Sequence, residues 1–387
     1  DDAFTAYNFG REHPMAPVRL DLTTRLSRAL GVLDHVEVVG AEVATDEELC
    51  SVHDPAYVEA VKVASADPDR ADPRRGLGTE DDPAFAGMHE ASARIVGGTL
   101  SLARALHAGE IDHGVNYCGG MHHAMATHAA GFCIYNDAAV GIQYLLDQGV
   151  ERVAYVDIDV HHGDGVERIF WNDPRVLTVS IHETGRALFP GTGWPADIGG
   201  AKALGTAVNV ALPPTTNDGA WLRAIDAIVA PVVHAFAPQV LFTQHGCDTH
   251  IDDPLAHFSI SLDAQRRAHE SMHHLAHEVT GGKWLALGGG GYEVVDVVPR
   301  SWTHLTAIAA HRPVPVETEV PAEWRGHVEA LFGRPGPKRM GDLPAENLPI
   351  WVRPWAMGHN PDNAHDRAVM TTREAVFPHH GLDPWFD

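Results

Sequence analysis

The run Asp157-Ile158-Asp159-Val160-His161-His162-Gly163-Asp164-Gly165 places three carboxylates and two imidazoles within eight residues. In an extended chain, alternation puts Asp157, Asp159 and His161 on one side, where carboxylate and imidazole can share an ion. Groups this close repel and desolvate one another unless a cation or a hydrogen-bonded imidazolium compensates. Gln244-His245-Gly246-Cys247-Asp248-Thr249 brings another carboxylate, and Gly119-Gly120-Met121-His122-His123 brings two imidazoles on a glycine-rich loop. Four glycines, Gly288 to Gly291, allow close backbone approach and deliver one phenol, Tyr292. Two Asp and one His on one metal leave a position open for water and substrate, as catalytic zinc requires. Water bound there, with a pKa near ~7, is a nucleophile; a His can take its proton, and a Tyr hydroxyl can hydrogen-bond a developing oxyanion. This is equipment for hydrolysing an amide without a covalent enzyme intermediate.

Histidine makes up 27 of the 387 residues, so motifs built from it need discounting. Random placement alone gives on the order of two His-His pairs, and the pairs His273-His274 and His379-His380 carry no weight by themselves. The string His269-Glu270-Ser271-Met272-His273 has the form of a zincin motif, yet it falls in a helical stretch between two strand runs. It reads as a half-exposed helix, not as a metalloprotease.

The elements that must position these groups alternate between two periodicities. Strand runs are expected at 152–156, 176–181, 240–243 and 283–287, and helical spacing at 95–106, 221–233 and 264–279. Such alternation requires an α/β fold with a mostly parallel central sheet and helices on both faces, its ligands outside the carboxyl ends of the strands. The last 76 residues hold 11 of 26 prolines and four of nine tryptophans (Trp324, Trp351, Trp355, Trp385). We therefore divide the chain into a catalytic domain, 1–311, and a Pro/Trp-rich extension, 312–387, packed upon it.

Composition narrows the function classes. With 52 acidic against 28 basic residues, the net charge of −24 argues against a nucleic-acid partner. The longest apolar runs, such as 227–233, are core pieces too short for a membrane span. Four cysteines (Cys50, Cys118, Cys133, Cys247) form no C-x-x-C pair and read as reduced thiols, and the first residues, from Asp1 to Phe4, show no basic and apolar leader pattern. Both features point to the cytoplasm.

Seven motifs in order resemble the zinc-dependent histone deacetylases of the arginase/deacetylase superfamily, and within it the bacterial acetoin-utilisation deacetylases. They are His13-Pro14-Met15 with Arg19, the 119–123 loop, Gly131-Phe132-Cys133-Ile134-Tyr135-Asn136-Asp137, the 157–165 run, Phe189-Pro190-Gly191-Thr192-Gly193, Gly246-Cys247-Asp248 and the 288–292 run. The resemblance spans about residues 7–310 and implies a single arginase/deacetylase-like domain. It implies a catalytic Zn²⁺, or Fe²⁺, held by Asp159, His161 and Asp248. It makes His123, oriented by Asp164, the general base and then acid, and His122, paired with Asp157, the electrostatic partner. Tyr292 would hold the oxyanion. Gly131, Phe132, Phe189 and Leu255 would line a channel for a lysine stem, with Asp81 gripping substrate backbone at the rim beside Glu80. A structural K⁺ is implied at Asp157, Asp159, His161, Ser180 and Ile181.

What the resemblance implies is hydrolysis of N6-acetyl-lysine, or of another acyl-lysine, in a protein such as an acetylated metabolic enzyme. The alternative is an acetylpolyamine amidohydrolase, whose small cationic substrate would suit the acidic strings at 80–82 and 252–253. A non-catalytic acyl-lysine binding module would be expected to lack Tyr292 or a metal ligand. The oligomeric state is not encoded in any of these features.

Overall fold

A computed structural model describes residues 2–387; Asp1, part of the N-terminal run read above, lies outside them. Six strands, β1 (His113–Asn116), β2 (Val153–Asp157), β3 (Val176–Glu183), β4 (Ala207–Leu212), β5 (Val240–Gln244) and β6 (Trp284–Leu287), form one sheet in the order β1-β6-β5-β2-β3-β4. Every pairing in it is parallel, where the sequence led us to expect a mostly parallel sheet. The described helices are α1 (Val18–Ala29), α2 (Asp46–Leu49), α3 (Pro55–Ala66), α4 (Met88–Ala108), α5 (Asp137–Asp147), α6 (Asp164–Phe170), α7 (Asp218–Phe236), α8 (Leu262–Thr280), α9 (Val298–Ala309), α10 (Ala322–Phe332) and α11 (Ala364–Val376), with short 3-10 turns between them.

The strands are apolar on both faces because both faces are covered. Along β2, Val153 and Tyr155 pack with Ile142, Leu145 and Phe170 of α5 and α6, whereas Ala154 and Val156 belong to the core on the opposite face, shared with α7 and α8. The same alternation splits Val240 and Phe242 from Leu241 in β5. Helix α7 has the length and apolar composition of a membrane span, but it is packed against the sheet and α11.

Register decides where the chemistry can sit. Asn116 pairs with Leu287, Leu287 with Gln244, Gln244 with Asp157, and Asp157 with Ser180. Four strands, β1, β6, β5 and β2, therefore end at one level, β3 runs on to Glu183 beside them, and the loops that leave them share one space at the carboxyl edge of the sheet.

The segment after residue 311 lies on the rest of the chain in two stretches. Trp324 donates its indole N–H to the Leu22 carbonyl at 2.9 Å and packs with Leu26, Val328 and Met340. Further on, α11 lies along β4 and α7, and the Thr372 hydroxyl donates to the Asn209 carbonyl at 2.6 Å. Its anchor is a buried ion pair: Arg223 Nε donates to Asp366 Oδ1 at 2.8 Å, while the same guanidinium reaches the Arg353 and Gly358 carbonyls and lies over the Trp355 ring. Asp366→Ala leaves that guanidinium buried without its counter-charge, which costs about 3 kcal/mol or more. The expected outcome is a lower urea midpoint with unchanged kcat/KM, measured by equilibrium unfolding alongside turnover.

Candidate active site

Five of the six strands lead into the site. The β2 end supplies Asp157, Asp159 and His161, the β5 end Asp248, the β6 end Tyr292, the β1 end His122 and His123, and the segment after β3 supplies Phe189. Asp157, Asp159 and Asp248 have no solvent exposure, so their charge must be answered by neighbours. The backbone N–H of Gly290 and the Gln244 amide donate to Asp159 Oδ2 at 2.9 and 2.8 Å, and Val160 N–H donates to Asp248 Oδ1 at 3.1 Å. What these donors leave open converges: His161 Nδ1 lies 3.1 Å from both Asp159 Oδ1 and Asp248 Oδ2. One imidazole nitrogen and two carboxylate oxygens within 4.8 Å of one another are a donor set for a divalent ion. Glycine is required around it. A Cβ at Gly246 would collide with the Asp159 carboxylate, and one at Gly290 with that of Asp248.

The paired histidines differ in partner and in the direction in which their surroundings move the pKa. His122 Nδ1 is 2.8 Å from Asp157 Oδ2, which also accepts the Tyr155 hydroxyl at 2.8 Å; His123 Nδ1 is 2.7 Å from Asp164 Oδ1. Burial opposes charge on both rings. At His122 the Asp157 and Asp159 carboxylates outweigh it and hold the pKa up at about 9. At His123 burial, joined by repulsion from His122, prevails over Asp164 and brings the pKa down to about 4. The loop carrying both rings is fixed by α5. Asp137 accepts the N–H groups of Gly120 and Met121 at 3.0 and 2.9 Å, and the Asn136 side chain donates to the Ala124 carbonyl at 3.0 Å while capping the helix.

Tyr292 is held by its backbone, whose N–H donates to Asp253 Oδ2 at 2.8 Å. Its hydroxyl has no hydrogen-bond partner among the described residues, and burial together with Asp248 and Asp159 pushes its pKa well above the usual phenol value, so it remains a donor. The Phe132 ring stands edge-on to Tyr292 at 5.7 Å, and Phe189 lies 5.0 Å from the His123 ring and 6.5 Å from that of His161. Between them sits Gly131, where a side chain would strike His123 and Phe189. Leu255 shares Asp253 with Tyr292, its N–H donating to Oδ1 at 3.0 Å. Asp81 is exposed, and its carbonyl is 3.1 Å from His13 Nε2, the ring that packs against Phe132 at 4.5 Å. Ser180 stands beside Asp157 in the ladder, with Ile181 next along β3.

The sequence reading left out Gln244, Asp253, Asn136 and Asp137 as positioning groups. All four lie in strings it quoted, but their partners are 12 to 85 residues away, so spacing carries no sign of the contact. The zincin-like pair is not assembled: His269 is buried against His245, with ring centroids 4.7 Å apart, while His273 packs with His113.

A family model described as the histone deacetylase domain matches residues 13–309. This chain belongs to that family. It is a deacetylase, a hydrolase. It is 42% identical over 324 residues to the acetoin utilization protein AcuC of Bacillus subtilis (strain 168), with 83% of each chain covered. Identity to the protein of the same name in Staphylococcus aureus (strain MSSA476) is 39% over 343 residues, 88% of each chain, and in Staphylococcus xylosus 39% over 320 residues, 82% of this chain and 83% of the relative. Among solved structures, an HDAC homolog complexed with SAHA superposes with a TM-score of 0.81 at 26% identity, covering 96% of this chain and 98% of that one.

The histidine pair makes a measurable prediction. In the metal-free chain at pH 7, NMR of the imidazoles is expected to show His122 doubly protonated and His123 neutral, titrating near pH 9 and pH 4 respectively. Because the His122 value is raised on folding, its contribution to stability is complete below about pH 6.5 and fades as pH rises through about 9. His122→Gln should abolish that alkaline slope.

Proposed function

We propose that this deacetylase hydrolyses the amide of N6-acetyl-lysine in proteins, with Asp159, His161 and Asp248 holding a divalent ion, Zn²⁺ or Fe²⁺. The observation that carries the reading is the meeting of three groups at one edge of the sheet: the Asp-His-Asp donors, a His pair with unlike partners, and a phenol without one. An ion in that set supplies Lewis acidity to the acyl carbonyl and lowers the pKa of water beside it.

The chain's own residues do the rest. His123, its Nδ1 engaged by Asp164, has Nε2 available to take a proton from the attacking water. As the new C–O bond forms, Tyr292 donates to the oxygen that becomes negative, and the charge of His122 helps to stabilise it. His123 then returns the proton to the lysine nitrogen as the C–N bond breaks, releasing acetate and the free amine. Phe132 and Phe189 flank an extended methylene stem and keep bulk water from the reacting bond, with Gly131 giving clearance and Leu255 near the mouth. Asp81, next to His13 at the rim, would hold substrate backbone N–H groups. A structural K⁺ at Asp157, Asp159, His161, Ser180 and Ile181 is supported by the register that sets Ser180 against Asp157.

The division at 311/312 belongs to the same proposal, supported by a family match that ends at residue 309. So does a cytoplasmic location, supported by four unpaired cysteines. We further infer that the partner is an acetylated protein or peptide, such as a metabolic enzyme, and not a nucleic acid.

Two sets of experiments test this reading. Asp248→Ala should contain one metal equivalent fewer than the wild-type chain by elemental analysis and be inactive, whereas Tyr292→Phe should keep its metal and substrate KM but lose ~10²–10³ in kcat. A Tyr292→Phe enzyme with near wild-type kcat would overturn the oxyanion role. For substrate, kcat/KM for an acetyl-lysine peptide should exceed that for acetylspermidine or acetylputrescine, and Asp81→Ala should narrow the gap, because the rim contacts exist only for a peptide. Preference for the polyamines in side-by-side kinetics would instead establish acetylpolyamine hydrolysis.

A further inference from the structure

Four histidines from three distant segments meet at the amino edge of the sheet, the end opposite the active site. His113 opens β1, His273 and His277 lie one turn apart on α8, and His311 follows α9. Their ligand nitrogens all lie within 4.8 Å of one another, and the ring centroids are 4.7 Å apart for His273 and His277 and 4.8 Å for His113 and His311.

Three details distinguish this group from crowding in a histidine-rich chain. First, His113 Nδ1 donates to the Ala309 carbonyl at 2.8 Å, which leaves a lone pair on Nε2; that atom is buried and has no hydrogen-bond partner. A backbone carbonyl on the far nitrogen is the arrangement that orients a metal-binding imidazole. Second, the Nε2 atoms of His273 and His277 are 3.2 Å apart. Two nitrogens on a tetrahedral ion at ~2.0–2.1 Å stand about 3.4 Å from each other, so these two rings are already spaced as ligands. Third, Gly282 faces the group at φ +98°, with the His277 ring 3.2 Å and His113 Nε2 3.9 Å from where a Cβ would stand. The left-handed backbone suits glycine, and no side chain intrudes there.

We propose that His113, His273, His277 and His311 form a second metal site, separate from the catalytic one, for a borderline transition ion of the Zn²⁺, Co²⁺, Ni²⁺ class. Four neutral imidazoles and no carboxylate select such ions over Mg²⁺ and Ca²⁺. His277 and His311 are exposed and give the ion a way in, while His113 and His273 are half-buried and hold position. β6 separates the two sites: Trp284 packs against His113 and His273 at its start, and Gly288 to Gly291 reach the Asp-His-Asp set beyond its end. An ion there joins β1, α8 and the end of α9, and so stabilises the native chain over the unfolded one.

The test is a Zn²⁺ titration of chelator-treated protein, with bound metal counted by elemental analysis and thermal unfolding followed in parallel. It uses the wild-type chain, Asp248→Ala, the exposed double variant His277→Ala/His311→Ala, and the triple variant combining all three changes. The double variant is expected to bind one equivalent fewer than the wild-type chain with unchanged kcat/KM. Asp248→Ala should still take up one equivalent and gain thermal stability from it, and the triple variant should do neither. His273→Asn, in the Asp248→Ala background, should also lose that equivalent. If the triple variant binds as much Zn²⁺ as Asp248→Ala, or gains as much stability from it, the site does not exist.

Discussion

Three carboxylates with no solvent exposure, Asp157, Asp159 and Asp248, govern how the carboxyl edge of the sheet is built. Unpaired charges there would cost several kcal/mol each, so the surrounding chain supplies donors to them and leaves room around them. Gly246 and Gly290 leave that room, since a Cβ at either would occupy carboxylate space. Gln244, the backbone N–H groups of Gly290 and Val160, and the Tyr155 hydroxyl are the donors. Those donors come from β2, β5 and the loops after β2 and β6, and only strands ending at one level can present them together. The parallel register is thus a requirement of the charge arrangement as much as of the core.

The same demand explains the unlike histidines. Both rings are buried, and both have a carboxylate partner. Asp157 sits at the strand end among other carboxylates, so the field at His122 favours a proton; His123, one residue on, faces Asp164 on one side and His122 on the other. Opposite shifts in pKa on adjacent residues follow from where each second partner lies in the fold.

How much of this was legible depended on range. The runs at 152–156, 176–181, 240–243 and 283–287 announced β2, β3, β5 and β6 because a strand buried on both faces must be apolar throughout. β1 escaped because His113-Gly114-Val115-Asn116 has a single apolar side chain, and β4 because Asn209 interrupts Ala207–Leu212; its buried amide donates to Glu167 at 2.6 Å and to the Asp197 carbonyl at 3.1 Å. The chemistry-bearing residues stood out in the sequence as strings, whereas the contacts that orient them did not. Asp137 holds a loop sixteen residues upstream, and Gln244 a carboxylate 85 residues away. His273 shows the converse: paired by spacing with His269, it is joined by the fold to His113, His277 and His311. Spacing within one helix identifies a shared face but not what that face meets.

Strand β4 ends the sheet, and α11 lies along it with Thr372 bonded to the Asn209 backbone. An uncovered terminal strand is a template on which a foreign strand can grow. Residues 364–376 cover that edge, at a place remote from the reacting groups. Proteolytic loss of the segment would show itself as aggregation before it showed itself as lost turnover.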